Sequence, residues 1–332
     1  MTVADFDAGV LVLCAEDMFR ADRLRPADDP RISATGWEVV AYLFANDDLF
    51  QTIDGTPAGK KVIKEFARDD IVFYGFLAKR NVEEEYFVAI RGTARVQEWL
   101  DDANFPAREY PGVSGATVEY GFYDIFKSMT LVGRDRGLPG VAAARGISDS
   151  VGAAPVTVGG HSLGSALATY LSLALAEIGS PVLAVMFASP RTGNQAFVDY
   201  YQSRMAGRYR LYNYILDAVT YVPFSVPPLL DYETLRDVTL ITPESSQADI
   251  KLDLACHHHL VCYLAMIDYA SFAAMKRTDR NSEDLKLFPC VLAPHETSLN
   301  YVAACALAEL VAHSFGEMIV KKLLVNRAKA QA

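Results

Sequence analysis

Apolar residues recur at helical spacing over residues 10–19 and again over 37–49, with a Lys60-Lys61-Val62-Ile63 stretch leading on, which predicts a mainly helical flank over residues 1–65. From Ile71 the pattern changes to that of strands. An apolar run over 71–79, a polar turn at 80–84 and a second run, Tyr86-Phe87-Val88-Ala89-Ile90-Arg91, predict a hairpin whose second strand ends at Gly92-Thr93. Further strands are predicted at 155–159, 182–187, 210–213 and 237–241, separated by helices near 120–134, 165–178 and 196–206. This alternation predicts an α/β fold: a mostly parallel central sheet with helices on both faces and reactive loops at the strand carboxyl ends. There is no internal repeat or low-complexity segment. The chain therefore reads as a single domain over 1–332, with the flank at 1–65, a core at 71–264 and a C-terminal helical extension at 265–332. The longest apolar stretch, 301–320, carries Glu309, His313 and Glu317 four residues apart, which suits a helix with one polar face rather than a membrane span.

Composition narrows the partners. Half of the residues are apolar (51%), enough for one large core, and the net charge of −10 comes without a basic stripe, which sets nucleic acid aside. The five cysteines, Cys14, Cys256, Cys262, Cys290 and Cys305, lack zinc-type spacing and read by default as reduced structural thiols, a disulfide from Cys256 or Cys262 to Cys290 being left open. The start of the chain shows no signal peptide: it lacks a basic region, and its short apolar run meets Glu16 and Asp17 instead of a cleavage site. No transmembrane segment is evident either, so the chain reads as soluble, and as cytoplasmic or a mature form without its leader.

The chemistry centres on one serine. Val156-Thr157-Val158 reads as a strand that breaks at Gly159-Gly160 and restarts as a helix of small residues, and Gly160-His161-Ser162-Leu163-Gly164 between them fits the G-x-S-x-G nucleophile elbow. Glycines two residues either side of the serine are needed because a Cβ there would collide with the neighbouring strand or helix. Ser162 Oγ is thereby exposed at the strand end, and the N–H of Leu163 opens the helix facing any oxyanion. A serine hydroxyl needs an imidazole to take its proton and a carboxylate to orient that imidazole. Outside the elbow the histidines are His257, His258, His259, His295 and His313, three of them in one run. Asp217 closes the strand-like 211–219 segment, where a strand-end carboxylate would be presented; Asp199 and Asp231 stay open as the acid.

These blocks give the chain a resemblance to the class 3 lipases, the fungal-type triacylglycerol lipase family of α/β-hydrolases, over roughly residues 71–264. Phe87-Val88-Ala89-Ile90-Arg91-Gly92-Thr93 with Glu98-Trp99-Leu100-Asp101 is similar to the family's F-R-G-T/S and W-x-x-D segment. Gly121-Phe122 resembles its V-H-x-G-F block, with Glu119 where histidine is usual. The elbow has Ser165 in place of the commoner glycine. Phe187 to Phe197 is similar to F-G-x-P-R-x-G-N-x-x-F, with Ala188 in the glycine position. Asp217-x-Val219-x-x-x-Pro223 resembles D-x-V-P-x-x-P, with Thr220 for the first proline.

The resemblance implies an α/β-hydrolase fold and a carboxylic-ester hydrolase, lipase or esterase, acting on lipid-like acyl esters. Its implied catalytic set is Ser162, Asp217 and His258, the last chosen because the family's histidine precedes a tyrosine by five positions, here Tyr263. Thr93 and Leu163 are the implied oxyanion donors. Trp99 and Leu100, on residues 94–103, are lid candidates that would touch a lipid interface. The apolar, proline-rich 221–230 loop is a candidate wall for the acyl groove. No metal or cofactor is called for. A feruloyl, polyester or phospholipid esterase would use the same residues, and a non-catalytic lipase-like interaction protein is the rival from another class.

Overall fold

The computed structural model describes residues 3–46, 71–80, 82, 84–93, 105–134, 140–223, 225, 231–243, 248–251, 254–275 and 290–292. Helix α1 (Asp5–Ala21) and the short α2 (Pro30–Ala34) precede β1 (Glu38–Asn46), which pairs with β2 (Ile71–Arg80). The hairpin expected after Ile71 forms between β2 and β3 (Glu85–Ile90). A small ribbon of β4 (Ala107–Glu109) and β5 (Thr117–Glu119) leads into α3 (Tyr120–Ser128), β6 (Thr130–Gly133), β7 (Val141–Ala142) and α4 (Ala143–Val151). The second half follows as β8 (Val156–His161), α5 (Leu163–Glu177), β9 (Val182–Phe187), α6 (Gln195–Met205), β10 (Tyr209–Tyr214) and β11 (Val238–Ile241). Last come β12 (Asp249–Ile250), α7 (Leu254–His258), α8 (Leu260–Ile267), α9 (Tyr269–Ala274) and β13 (Val291–Leu292).

Among the described residues, nine strands make the main sheet, in the order β11-β10-β9-β8-β3-β2-β1-β6-β7. From β3 to β11 every pairing is parallel; β2 and β6 run against the other strands, so the sheet is mixed and mostly parallel, as expected. Successive residues of a strand point to opposite faces. On β8, a Cβ at Gly159 would meet Val12 of α1, whereas one at Gly160 would meet Gly164 of α5. The two helices thus cover opposite faces, and the buried side chains of both layers join one core.

Two expectations need correction. Residues 38–46 form β1 rather than a helix. The segment is hydrogen-bonded on both edges, by β2 and β6, and buried on both faces, so its apolar run is nearly continuous and mimics helical spacing. The helix expected to reach 134 ends at Ser128, whose hydroxyl donates to the Ile125 carbonyl and accepts the Asn46 N–H, and β-branched Thr130 and Val132 then join β1 as strand β6. The predicted lid with Trp99 and Leu100, most of the 221–230 loop and the 301–320 segment lie outside the described residues.

Candidate active site

Ser162 joins β8 to α5 with φ 57° and ψ −127°, a left-handed backbone that a non-glycine residue adopts only under constraint. The constraint comes from its neighbours. A Cβ on Gly160 would lie 2.2 Å from the Gly164 carbonyl oxygen, and one on Gly164 would lie 2.4 Å from the Ile90 oxygen and 2.6 Å from that of Arg91. Those contacts are to backbone, which has nowhere to move, so both positions require glycine. Ser162 N–H donates to the Phe187 carbonyl at 3.0 Å, tying the turn to β9. Ser165, where the family more often has glycine, places its hydroxyl 2.7 Å from the Gly160 and Phe187 carbonyls and accepts the Phe187 N–H.

Asp217 follows β10 and starts a short 3-10 helix (Ala218–Tyr221), whose Val219 N–H it accepts at 3.0 Å. Its other oxygen accepts the Tyr263 hydroxyl at 2.7 Å, and that hydroxyl in turn accepts the Tyr214 N–H at 2.9 Å. Burial, and then the Asp217 carboxylate, hold the Tyr263 pKa well above its ordinary value, so it remains a donor. His258 stands between acid and serine: its Nδ1 lies 2.8 Å from Asp217 Oδ2 and its Nε2 2.8 Å from Ser162 Oγ. The structure thus brings Ser162, Asp217 and His258 into one bonded row. Of the neighbouring histidines, His257 packs edge-on against Tyr214 with ring centroids 5.4 Å apart, and His259 caps α8, its pKa lowered to about 4 by burial and by His258. The alternative acids lie elsewhere: Asp199 is exposed against Arg236 and Gln195, and Asp231 is exposed.

Leu163 is the first residue of α5, so its N–H has no carbonyl of the preceding turn to bond. Gly92 brings the end of β3 to the serine, for a Cβ there would lie 3.2 Å from Ser162 Cβ; Thr93 is the next residue and half-buried. Arg91 fixes that approach. Its guanidinium lies between the rings of Phe19 and Tyr74, 3.5 and 4.1 Å from their centroids, and donates to the carbonyls of Phe73 and Gly92. Arg91 appeared in the sequence only as part of a motif, and its role depends on α1 and β2 folding over it.

Two further details explain departures from the family pattern. Ala188, in a position where glycine is usual, has φ 54°, so the glycine preference has a steric cause. Glu119, where histidine is usual, caps α3: its carboxylate accepts the Phe122 N–H. Burial raises its pKa to about 7 against the lowering effect of that bond.

Cys256 and Cys290 form a disulfide, which overturns the default reading of reduced thiols; the bond links α7, two residues before His258, to the residue preceding β13. Sequence spacing left this pairing open because β12 and β13 bring the two cysteines together only in the fold. Cys14 and Cys262 are buried thiols. Among the described residues no helix is long and apolar enough to cross a membrane, and no group of three or more His, Cys, Asp or Glu side chains could hold a metal ion.

A sequence model of the family described as Lipase (class 3) matches residues 87–226, from β3 through the elbow to the loop after Asp217. Over that segment the chain is similar to the class 3 lipases. A secreted mono- and diacylglycerol lipase of Fusarium solani is 28% identical over 136 residues, 41% of this chain and 39% of its own length. A phospholipase A1, EG1, of Oryza sativa subsp. indica is 29% identical over 200 residues, 53% of this chain and 44% of its own. The chain thus spans under half the length of these two relatives. Among solved structures, a deletion mutant of the Rhizomucor miehei lipase propeptide complex is similar in fold, with a TM-score of 0.50 and 21% identity over 74% of this chain and 69% of that one. The matched segment ends nine residues after Asp217, and the histidine run lies beyond it.

Proposed function

We propose that this chain is a carboxylic-ester hydrolase of the class 3 lipase kind acting on lipid-like acyl esters, with Ser162 as nucleophile, His258 as base and Asp217 as the acid that orients it. One observation carries the reading: the row from Ser162 Oγ through the His258 ring to Asp217, each contact 2.8 Å. His258 takes the hydroxyl proton as Oγ attacks the ester carbonyl. The negative charge formed on the carbonyl oxygen is met by the N–H groups of Leu163 and Thr93, each donor being worth about 3 kcal/mol. The tetrahedral adduct collapses, the departing alcohol takes the proton from His258, and water repeats the sequence to release the acid. None of these steps calls for a metal or cofactor.

The relatives named for mono- and diacylglycerol and for phospholipase A1 activity point to glycerol-based esters. The Cys256 to Cys290 disulfide favours an oxidising compartment over the cytoplasm. The deciding assay is hydrolysis of p-nitrophenyl esters from acetyl to palmitoyl, beside diacylglycerol and phosphatidylcholine, by the wild type and by Ser162→Ala, His257→Ala, His258→Ala and His259→Ala. Ser162→Ala and His258→Ala should lower kcat by about four to six orders of magnitude. His257→Ala and His259→Ala should stay within about tenfold, since neither ring stands in the bonded row. A rate jump where the substrate passes from monomer to micelle would support Trp99 and Leu100 as a lid. Full activity in His258→Ala would sink the assignment of the base.

A further inference from the structure

Next to Ser162 in the elbow, His161 is buried with both ring nitrogens engaged. Nδ1 lies 2.7 Å from Glu16 Oε1 on α1, and Nε2 lies 2.7 Å from the backbone carbonyl oxygen of His258. A carbonyl oxygen only accepts, so Nε2 carries a proton. Glu16 also faces donors: the Gly92 N–H reaches Oε1 at 3.4 Å, and the Arg20 guanidinium lies 3.5 Å from Oε2. That surrounding favours the carboxylate, which likewise only accepts, so Nδ1 carries a proton as well. Only an imidazolium supplies two.

Resting on the hydrolase reading above, we infer that Glu16 and His161 form a buried ion pair that acts as a positioning pair, holding the backbone of His258 so that its ring meets Ser162. The pair spans 145 residues of sequence and anchors the base-bearing segment to α1 and to the residue next to the nucleophile. Burial alone would keep Glu16 and His161 neutral; each charge is maintained by the other, which brings the Glu16 pKa down to about 2 and raises that of His161. The other titratable or charged groups around His161 are Arg20 on α1, His258 and His259 on the histidine segment, Asp217, and Tyr263 on α8. The His258 ring itself lies against that of His161, centroids 4.9 Å apart and tilted by 35°.

The test has two readouts. Nitrogen NMR of histidine-labelled protein should show one ring protonated on both nitrogens across neutral and mildly alkaline pH in the wild type. That signal should disappear in Glu16→Gln, which keeps the side-chain volume but removes the counter-charge. In ester hydrolysis, His161→Phe should lower kcat by about ten- to a hundredfold, the scale of one hydrogen bond to a charged group, with KM within about twofold. His161→Gln, whose amide retains a donor for the His258 carbonyl, should recover part of the loss. Fluorophosphonate labelling of Ser162 should slow in parallel, and near-ultraviolet circular dichroism should confirm that each variant is folded. A neutral His161 ring in the wild type, or a folded His161→Phe with wild-type kcat, would overturn the pair. A wild type inert to every ester and to fluorophosphonate would overturn the hydrolase reading, and the positioning role with it, while the imidazolium signal would still report on the charges.

Discussion

Around Ser162 the backbone leaves no choice of position, whereas around His258 the backbone is an ordinary short helix and side chains do the holding. The serine turn is fixed by Gly160 and Gly164, whose missing Cβ atoms admit the carbonyls of Gly164, Ile90 and Arg91. His258 is fixed from three directions: by Asp217 on its ring, by His161 on its carbonyl, and by the disulfide two residues earlier. The difference teaches where each half can fail. A local steric device tolerates no added atom, while a side chain held by several remote partners can lose one of them and be weakened in steps.

The strongest way to break this contrast is Gly164→Ala. With its Cβ forced to 2.4 Å from a backbone oxygen, the variant should lose at least ~3 kcal/mol, a Tm fall of roughly 6–12 °C, together with its activity. A variant that melts like the wild type would show that the elbow is not sterically determined.

Next in size is the double substitution Cys256→Ser with Cys290→Ser. Releasing a link across a sequence separation of 34 should cost about 2–4 kcal/mol in urea unfolding while leaving partial activity, because Asp217 and His161 still hold the histidine. Complete loss of activity in a folded double variant would make the disulfide the main restraint and remove the idea of shared holding.

The smallest effect asks whether local backbone logic extends beyond the site, to the start of α3. Glu119 would ionise near 4.5 when unfolded and near 7 when folded, so the folded chain retains the extra proton between those values. Stability from this group therefore falls as pH rises from about 4.5 to about 7, by up to roughly 3 kcal/mol in the linkage limit. Glu119→Gln keeps an acceptor for the Phe122 N–H but carries no charge. It should raise stability by about 1 kcal/mol at pH 8 and match the wild type near pH 4.5, as read by parallel thermal melts. An equal gain at both pH values would assign the effect to packing.

The same contrast governs what could be read from the sequence. Gly160-His161-Ser162-Leu163-Gly164 and the strand–helix alternation around it are local signals, and both appear where the spacing put them. Asp217 and His258 were named through motif resemblance, and the fold gathers them with Ser162; Tyr263 served only as a spacing marker, although its hydroxyl anchors Asp217. Glu16 carries a local signal, an acid inside an otherwise apolar helical run, but its partner His161 is reached only in the fold. The disulfide partner and the role of Arg91 had no local signal, since each depends on elements far apart in sequence. Strand β1 was misread because a segment buried on both faces loses the alternation that marks a strand.

The placement of α1 has a consequence for how the chain comes into being. Glu16 leaves the ribosome 145 residues ahead of His161, and Gly9 on the same helix packs so closely on Leu264 and Phe187 that a Cβ would lie 2.4 Å from the leucine and 3.4 Å from the phenylalanine. An apolar helix made early therefore keeps part of its surface uncovered until β8, β9 and α8 have been made, and needs shielding during synthesis. A nascent chain halted just after α5 has made the serine turn, but β9, which ties that turn, and α8, whose Leu264 packs on Gly9, are still to come.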